Sequence, residues 1–127
     1  MKQKAATRPG SQELYIGLVR LHVLHHAAEK PVFGLGMIQE LGRHGYKLGA
    51  GTIYPLLHGM ERRGWLRAEL KLVNGHRRKV YAATPAGSKA LAQARRYVGE
   101  LFEEMCEGHE SESAGRRTSP KDRSLLE

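Results

Sequence analysis

At 127 residues the chain has room for one ordinary domain and its core. It carries 21 lysines and arginines against 13 acids, a formal net charge of +8. A pI of 9.9 points to an anionic partner, nucleic acid before a membrane surface. Cys106 is the one cysteine, which excludes an intrachain disulfide and a cysteine-rich zinc site and suits a reducing compartment. No apolar run approaches the ~20 residues needed to span a bilayer. The opening MKQKAATRPGSQ lacks the hydrophobic core of a signal peptide. These features predict a cytoplasmic protein that does not engage a membrane.

Residues 1–11 read as a disordered basic tail, with Lys2, Lys4 and Arg8 and nothing to bury. A first helix is predicted over Gln12–Ala28, with Ser11 as its N-cap and Glu13 in its first turn. Leu14, Leu18, Leu21 and His25 form one stripe, and Ile16, Val19 and Val23 a second. That apolar arc is too wide for one-sided packing, so part of it is expected to meet another subunit. His22 and His26 stand four apart, but no carboxylate matches them on this helix and no H-E-x-x-H occurs. They are read as packed or partly exposed histidines, with no metal and no cofactor expected.

Lys30-Pro31 interrupts the chain. A second helix is predicted over Gly34–Arg43, with Met37, Ile38 and Leu41 facing inward and His44-Gly45 as its stop. Tyr46–Gly49 make a turn into a third helix that becomes regular within about a turn of Thr52. Pro55 is expected to cost little so near the start. On this helix Ile53, Leu56, Leu57 and Met60 fall at i, i+3, i+4 and i+7, one apolar stripe. Gly51, Pro55, His58 and Arg62 point the other way, with Glu61 on the flank. Two short helices joined by a glycine-bearing turn make a helix-turn-helix.

Leu66, Ala68, Leu70 and Leu72 alternate with Arg67, Glu69 and Lys71, the pattern of a half-buried strand. Asn74-Gly75 is a strong hairpin signal, and Arg77–Ala83 is the returning strand. Residues 62–79 hold Arg62, Arg63, Arg67, Lys71, Arg77, Arg78 and Lys79, a third of all the basic residues, beside the single acid Glu69. A helix-turn-helix followed by a basic hairpin is a winged helix. The predicted fold is therefore mainly α, an α+β winged helix with a two-stranded wing spanning 12–84. Thr84-Pro85 opens a last helix over 85–107, threonine as N-cap and proline first inside. Leu91, Ala94, Val98, Leu101 and Met105 are spaced 3, 4, 3, 4, with Ala90, Tyr97 and Phe102 beside them. This seam is too short for an independent coiled coil and calls for packing on a mate. Gly108 is expected to end it, leaving 108–127 as a disordered tail.

With these residues in place the chain resembles the PadR family of bacterial transcriptional regulators. Phe33-Gly34, the block Gly51-Thr52-Ile53-Tyr54-Pro55-Leu56-Leu57, the block Met60-Glu61-Arg62-Arg63-Gly64-Trp65-Leu66, Arg78 through Tyr81 and Thr84 through Gly87 carry the likeness. It covers roughly residues 12–106 and is similar to the compact branch with one dimerisation helix after the wing. The resemblance implies a homodimer built by the first and last helices, acting on an operator near a promoter. Most relatives repress, and some release DNA when a small aromatic molecule binds at the dimer interface. By position, Thr52, Tyr54 and Pro55 match the start of the family's recognition helix, and Asn74, Gly75 and the basic residues after them match the wing tip. Tyr54 is expected to serve structure as well as DNA. Gly59 departs from many relatives, in which a long polar residue stands inside that helix.

The sequence thus predicts a dimeric repressor on a palindromic operator in double-stranded DNA. The third helix enters the major groove with His58 and Arg62, while Thr52 and Tyr54 meet the backbone. Lys47, Arg63, His76, Arg77, Arg78 and Lys79 answer phosphates. Leu14, Leu18, Leu21, Leu91, Ala94, Tyr97, Val98, Leu101, Phe102 and Met105 form the expected dimer interface. Two rivals compete: a winged-helix protein-interaction scaffold, and a small-molecule sensor using Tyr97, Phe102 and Trp65 as an aromatic pocket. An enzyme is disfavoured, since no catalytic nucleophile–base spacing, phosphate loop or acid pair is present.

Overall fold

The computed structural model describes residues 9–110, with side chains from 13 to 107. In chain order the elements are α1 (Pro9–Glu29), β1 (Val32–Phe33), α2 (Gly34–Arg43), α3 (Ala50–Arg62), β2 (Leu66–Val73), β3 (His76–Ala83) and α4 (Pro85–Glu110). The chain divides into two compact units at Ser88–Lys89. The first holds α1 to β3 and the first turn of α4, and the second holds the rest of α4.

α1 begins earlier than the capping signal suggests. Pro9 opens it, so Ser11 lies inside the helix and no acid occupies its first turn. Proline is pre-set for the first helical position and its missing N–H has no role there. Residues 9–11 of the predicted tail are therefore helical, and residues 1–8 lie outside the described residues. At the far end of the chain α4 continues through Gly108 to Glu110. A glycine costs a helix about 1 kcal/mol, a weakening and not a stop. The rest of the predicted tail, 111–127, lies outside the described residues.

The sheet has three strands, not the two of the predicted wing, in the order β1-β3-β2. β1 is two residues long and pairs antiparallel with β3, Val32 opposite Tyr81 and Phe33 opposite Val80. The hairpin register runs from Leu66 opposite Ala83 to Val73 opposite His76. Asn74 and Gly75 close it with φ of 52° and 81°, the two left-handed residues of a type I′ turn. The alternation along β2 holds for its inner half only. Leu66 is buried, whereas Leu70 and Leu72 are 62% and 72% exposed. The outer half of the hairpin projects beyond the core, so its inward-phase residues find nothing to pack on.

The core of the first unit gathers Val19, Val23, Leu24 and Ala27 of α1, Met37 and Leu41 of α2, and Ile53, Leu56, Leu57 and Met60 of α3. Leu66, Val80 and Tyr81 of the sheet complete it. The other stripe of α1 stays outside: Leu14 is 72% exposed, and Leu18 and Tyr15 are exposed with it. Pro55 is the sixth residue of α3, deeper than the sequence suggests. It denies the carbonyl of Gly51 its helical donor, which in a helix interior costs about 3 kcal/mol. Both residues face solvent, which leaves that carbonyl open to water. Burial of four apolar side chains at about 1.5–3 kcal/mol each outweighs the proline.

One junction fixes the start of α4. Thr84 Oγ1 donates to the carbonyl of Gly64 at 2.6 Å and accepts the Gly87 N–H at 2.9 Å. The Thr84 N–H donates to the carbonyl of Trp65 at 3.0 Å. Gly87 is buried against that same carbonyl, so closely that a Cβ would overlap it and stand 3.2 Å from the Trp65 Cα. Backbone cannot yield as a side chain can. Gly87→Ala is therefore expected to destabilise the protein by about 1–3 kcal/mol, read as a lowered midpoint in urea. Ala86→Gly, at an exposed neighbouring position, should cost about 1 kcal/mol or less.

Candidate nucleic-acid interface

Because Ile53, Leu56, Leu57 and Met60 turn inward, the opposite side of α3 faces solvent. Gly51, Pro55, His58 and Arg62 are all exposed there, followed by Arg63 at the helix end. Thr52 is half-buried in the first turn, and Lys47 is exposed in the turn before it. α3 starts on Gly49, whose carbonyl accepts the N–H groups of Thr52 and Ile53 at 3.1 and 3.0 Å. No side chain caps this end, which leaves its first N–H groups open to an anion.

Tyr54 serves the packing between the two helices of the motif. Its ring lies against Gly34, the first residue of α2. A Cβ there would enter the ring and stand 2.7 Å from the hydroxyl oxygen. Tyr54 nevertheless remains 38% exposed, so the residue spans the core edge and the outer surface.

On the wing, Asn74, Gly75, His76 and Arg77 form an exposed tip. The next two cations are held closer in. Arg78 is half-buried with its guanidinium carbon 5.1 Å from the centre of the Phe33 ring. Its Nε is buried without a hydrogen-bond partner among the described residues. Lys79 Nζ lies 3.8 Å from Glu61 of α3 and 5.6 Å from the Tyr81 ring centre. Burial pushes the Tyr81 phenol above its ordinary value, against the opposing pull of Lys79. Arg63 covers the Trp65 indole at 5.4 Å. So His58, Arg62, Lys47, His76 and Arg77 stand free of any described ion pair, while Lys79 is tied to Glu61.

Sequence periodicity did not reveal Leu70 and Leu72 as surface residues. They share the strand face of Arg77 and Lys79, opposite which they pair. The signal available for them was the position of the Asn74-Gly75 turn, which puts both in the outer half of a long hairpin.

The family model for the Transcriptional regulator PadR-like family matches residues 23–93. The chain belongs to that family. A curated relative, Transcriptional regulator Rv3488 of Mycobacterium tuberculosis, is 48% identical over 107 residues, 84% of this chain and 99% of its own length. Among solved structures, a PadR-like transcriptional regulator from Bacillus cereus is similar with a TM-score of 0.70 and 25% identity, over 75% of this chain and 94% of that one. A PadR family transcriptional regulator from Eggerthella lenta is similar with a TM-score of 0.60 and 27% identity, over 84% of this chain and 90% of that one. The resemblance read from the sequence and the winged-helix class are both correct. The chain is a PadR-like transcriptional regulator, a family of DNA-binding proteins and not of enzymes. Among the described residues no helix is long and apolar enough to cross a membrane.

Glu61 is the acid flanking this cationic surface, and it holds Lys79 back. Glu61→Gln should release Lys79 toward phosphate, strengthen binding to duplex DNA several-fold at low salt, and steepen the salt dependence by about one phosphate. Fluorescence anisotropy with a labelled duplex at several salt concentrations reads both. Weaker binding by the variant would show instead that Glu61 positions Lys79 for contact.

Proposed function

We propose that this regulator is a homodimeric repressor that reads a palindromic operator with α3 in the major groove and the hairpin wing along the flanking backbone. The observation that carries the reading is the set of exposed basic side chains on α3 and at its end (His58, Arg62, Arg63) and on the wing tip (His76, Arg77). Such a surface matches a polyanion of regular pitch better than a small molecule or a protein patch. His58 and Arg62 reach base edges. Thr52, Tyr54, Pro55 and the open N–H groups at the start of α3 meet the backbone, and Lys47, Arg63 and the wing, Asn74 through Lys79, neutralise phosphates. Leu70 and Leu72, exposed beside cations, supply apolar contact to sugars in the minor groove.

Dimerisation supplies the second α3, about 34 Å away, one turn of DNA. Its support is unmet apolar surface. Along α4, Tyr97 is 70% and Phe102 64% exposed, with Val98, Leu101 and Met105 also uncovered. Leu91 and Ala94 of the same seam are half-buried. On α1 Leu14, Tyr15 and Leu18 are uncovered, with Leu21 half-buried beside them. Patches of this kind are what a second copy covers. A planar aromatic effector would act in the same interface, against Tyr97 and Phe102. Its binding would favour the spacing of the two α3 helices that fits DNA less well.

The deciding measurement is binding to duplex from the protein's own upstream region across a salt series, with random duplex as control. If about eight phosphates are neutralised per dimer, the log–log salt slope is about −7. A preference of a hundredfold or more for the upstream duplex is expected. Arg62→Ala should cost about 1–3 kcal/mol, concentrated on one base position. No salt-sensitive binding at all would favour the protein-interaction scaffold. For the dimer, Leu101→Glu with Phe102→Glu should convert the protein to a monomer in sedimentation while leaving its helical circular dichroism intact. A variant that stays dimeric would remove α4 from the interface.

A further inference from the structure

The histidines of α1, which sequence alone left without a third ligand, acquire one in the fold. His44, just past the end of α2, is brought beside His22, their ring centres 4.9 Å apart. The ligand nitrogens of His22, His26 and His44 all lie within 4.8 Å of one another. A carboxylate that α1 does not supply arrives from α2. Glu40 Oε2 stands 3.6 Å from His26 Nε2 and 3.4 Å from His44 Nε2. In a tetrahedral zinc site with bonds of about 2.0–2.1 Å, neighbouring ligand atoms are separated by about 3.3 Å. The two Glu40 distances are already near that value, and the imidazole nitrogens need close by at most about 1.5 Å.

We propose that His22, His26, His44 and Glu40 form a binding site for one borderline divalent transition-metal ion, with Zn(II) as the representative. Three imidazole nitrogens and one carboxylate oxygen are a donor set such ions favour over Mg(II) or Ca(II), which take oxygen ligands. Burial pushes the His22 imidazole below the ordinary histidine value, with His44, His26 and His25 pushing the same way and Glu40 pulling against them. Arg43 Nη1 holds the other oxygen of Glu40 at 3.0 Å, which leaves Oε2 turned toward the histidines. The site spans two elements: two ligands from the C-terminal half of α1, and two from the end of α2 and the residue after it. A bound ion therefore ties α1 to the helix that leads into the α3 turn. This proposal stands on the ligand geometry and does not depend on the DNA reading above.

A competing set, His25, His26 and Glu29, lies on α1 alone and is more exposed. It shares His26, so the test separates the two through residues they do not share. Untagged full chain is stripped with chelator and titrated with Co(II), then Zn(II). The expected result is one Co(II) per chain, with the strong visible absorption of a tetrahedral site, displaced by one Zn(II). His44→Ala and His22→Ala should each weaken Zn(II) binding a hundredfold or more, and Glu40→Gln about tenfold or more. His25→Ala should leave it unchanged. Zn(II) should raise the melting temperature of the wild-type chain but not that of His44→Ala. Melts in chelator should show His44→Ala, an exposed position, to be as stable as wild type. Absence of stoichiometric binding would overturn the proposal. So would loss of binding in His25→Ala with retention in His44→Ala.

Discussion

Four side chains on α3 must be kept from water, and that requirement fixes which way the helix faces. Ile53, Leu57 and Met60 are fully buried and Leu56 nearly so. Turning the helix by one residue, about 100°, would expose part of that stripe and bury His58 or Arg62 without partners, a loss of several kcal/mol. The outward set of Gly51, Pro55, His58 and Arg62 is thus a by-product of core packing. Tyr54 refines the arrangement, because its ring against Gly34 sets how closely α2 and α3 approach.

The hairpin and the last helix depend on the same frame by a different route. α3 ends in a turn through Gly64 and Trp65, and the carbonyls of these two residues receive the hydroxyl and the N–H of Thr84. One threonine therefore caps α4 and pins the end of β3 to the end of α3. With β1 pairing on the other side, β3 is held along both edges at its inner half. Its outer half has β2 alone, which is why His76, Arg77, Leu70 and Leu72 there stay exposed.

Most of the fold follows from local rules that sequence displays. Three-four spacing marks α2, α3 and α4, Asn74-Gly75 marks the hairpin, and Thr84-Pro85 marks a helix start. What escaped detection is non-local or very short. β1 has two residues, too few for any periodicity, and exists because β3 offers it an edge. The exposure of Leu70 and Leu72 depends on where the core ends, which no alternation encodes. Pro55 proved interior because α3 begins at Ala50 on an uncapped glycine, where no side-chain signal announces a start. For the candidate surface, the residue types and the helix face were legible, but the capture of Lys79 by Glu61 and the seating of Arg78 on Phe33 needed three dimensions. The histidine cluster was the least legible, since His44 and Glu40 join His22 and His26 only through helix packing.

Trp65 is the only tryptophan in the chain, and it is half-buried under the guanidinium of Arg63, 5.4 Å from its centre. Cation and indole attract one another only while the cation stays over the ring. Any polyanion that draws Arg63 away exchanges that charge for water or phosphate beside the indole. The molecule thus carries its own optical probe, placed where α3 ends and the wing begins. Its emission responds to events at this edge without an attached dye.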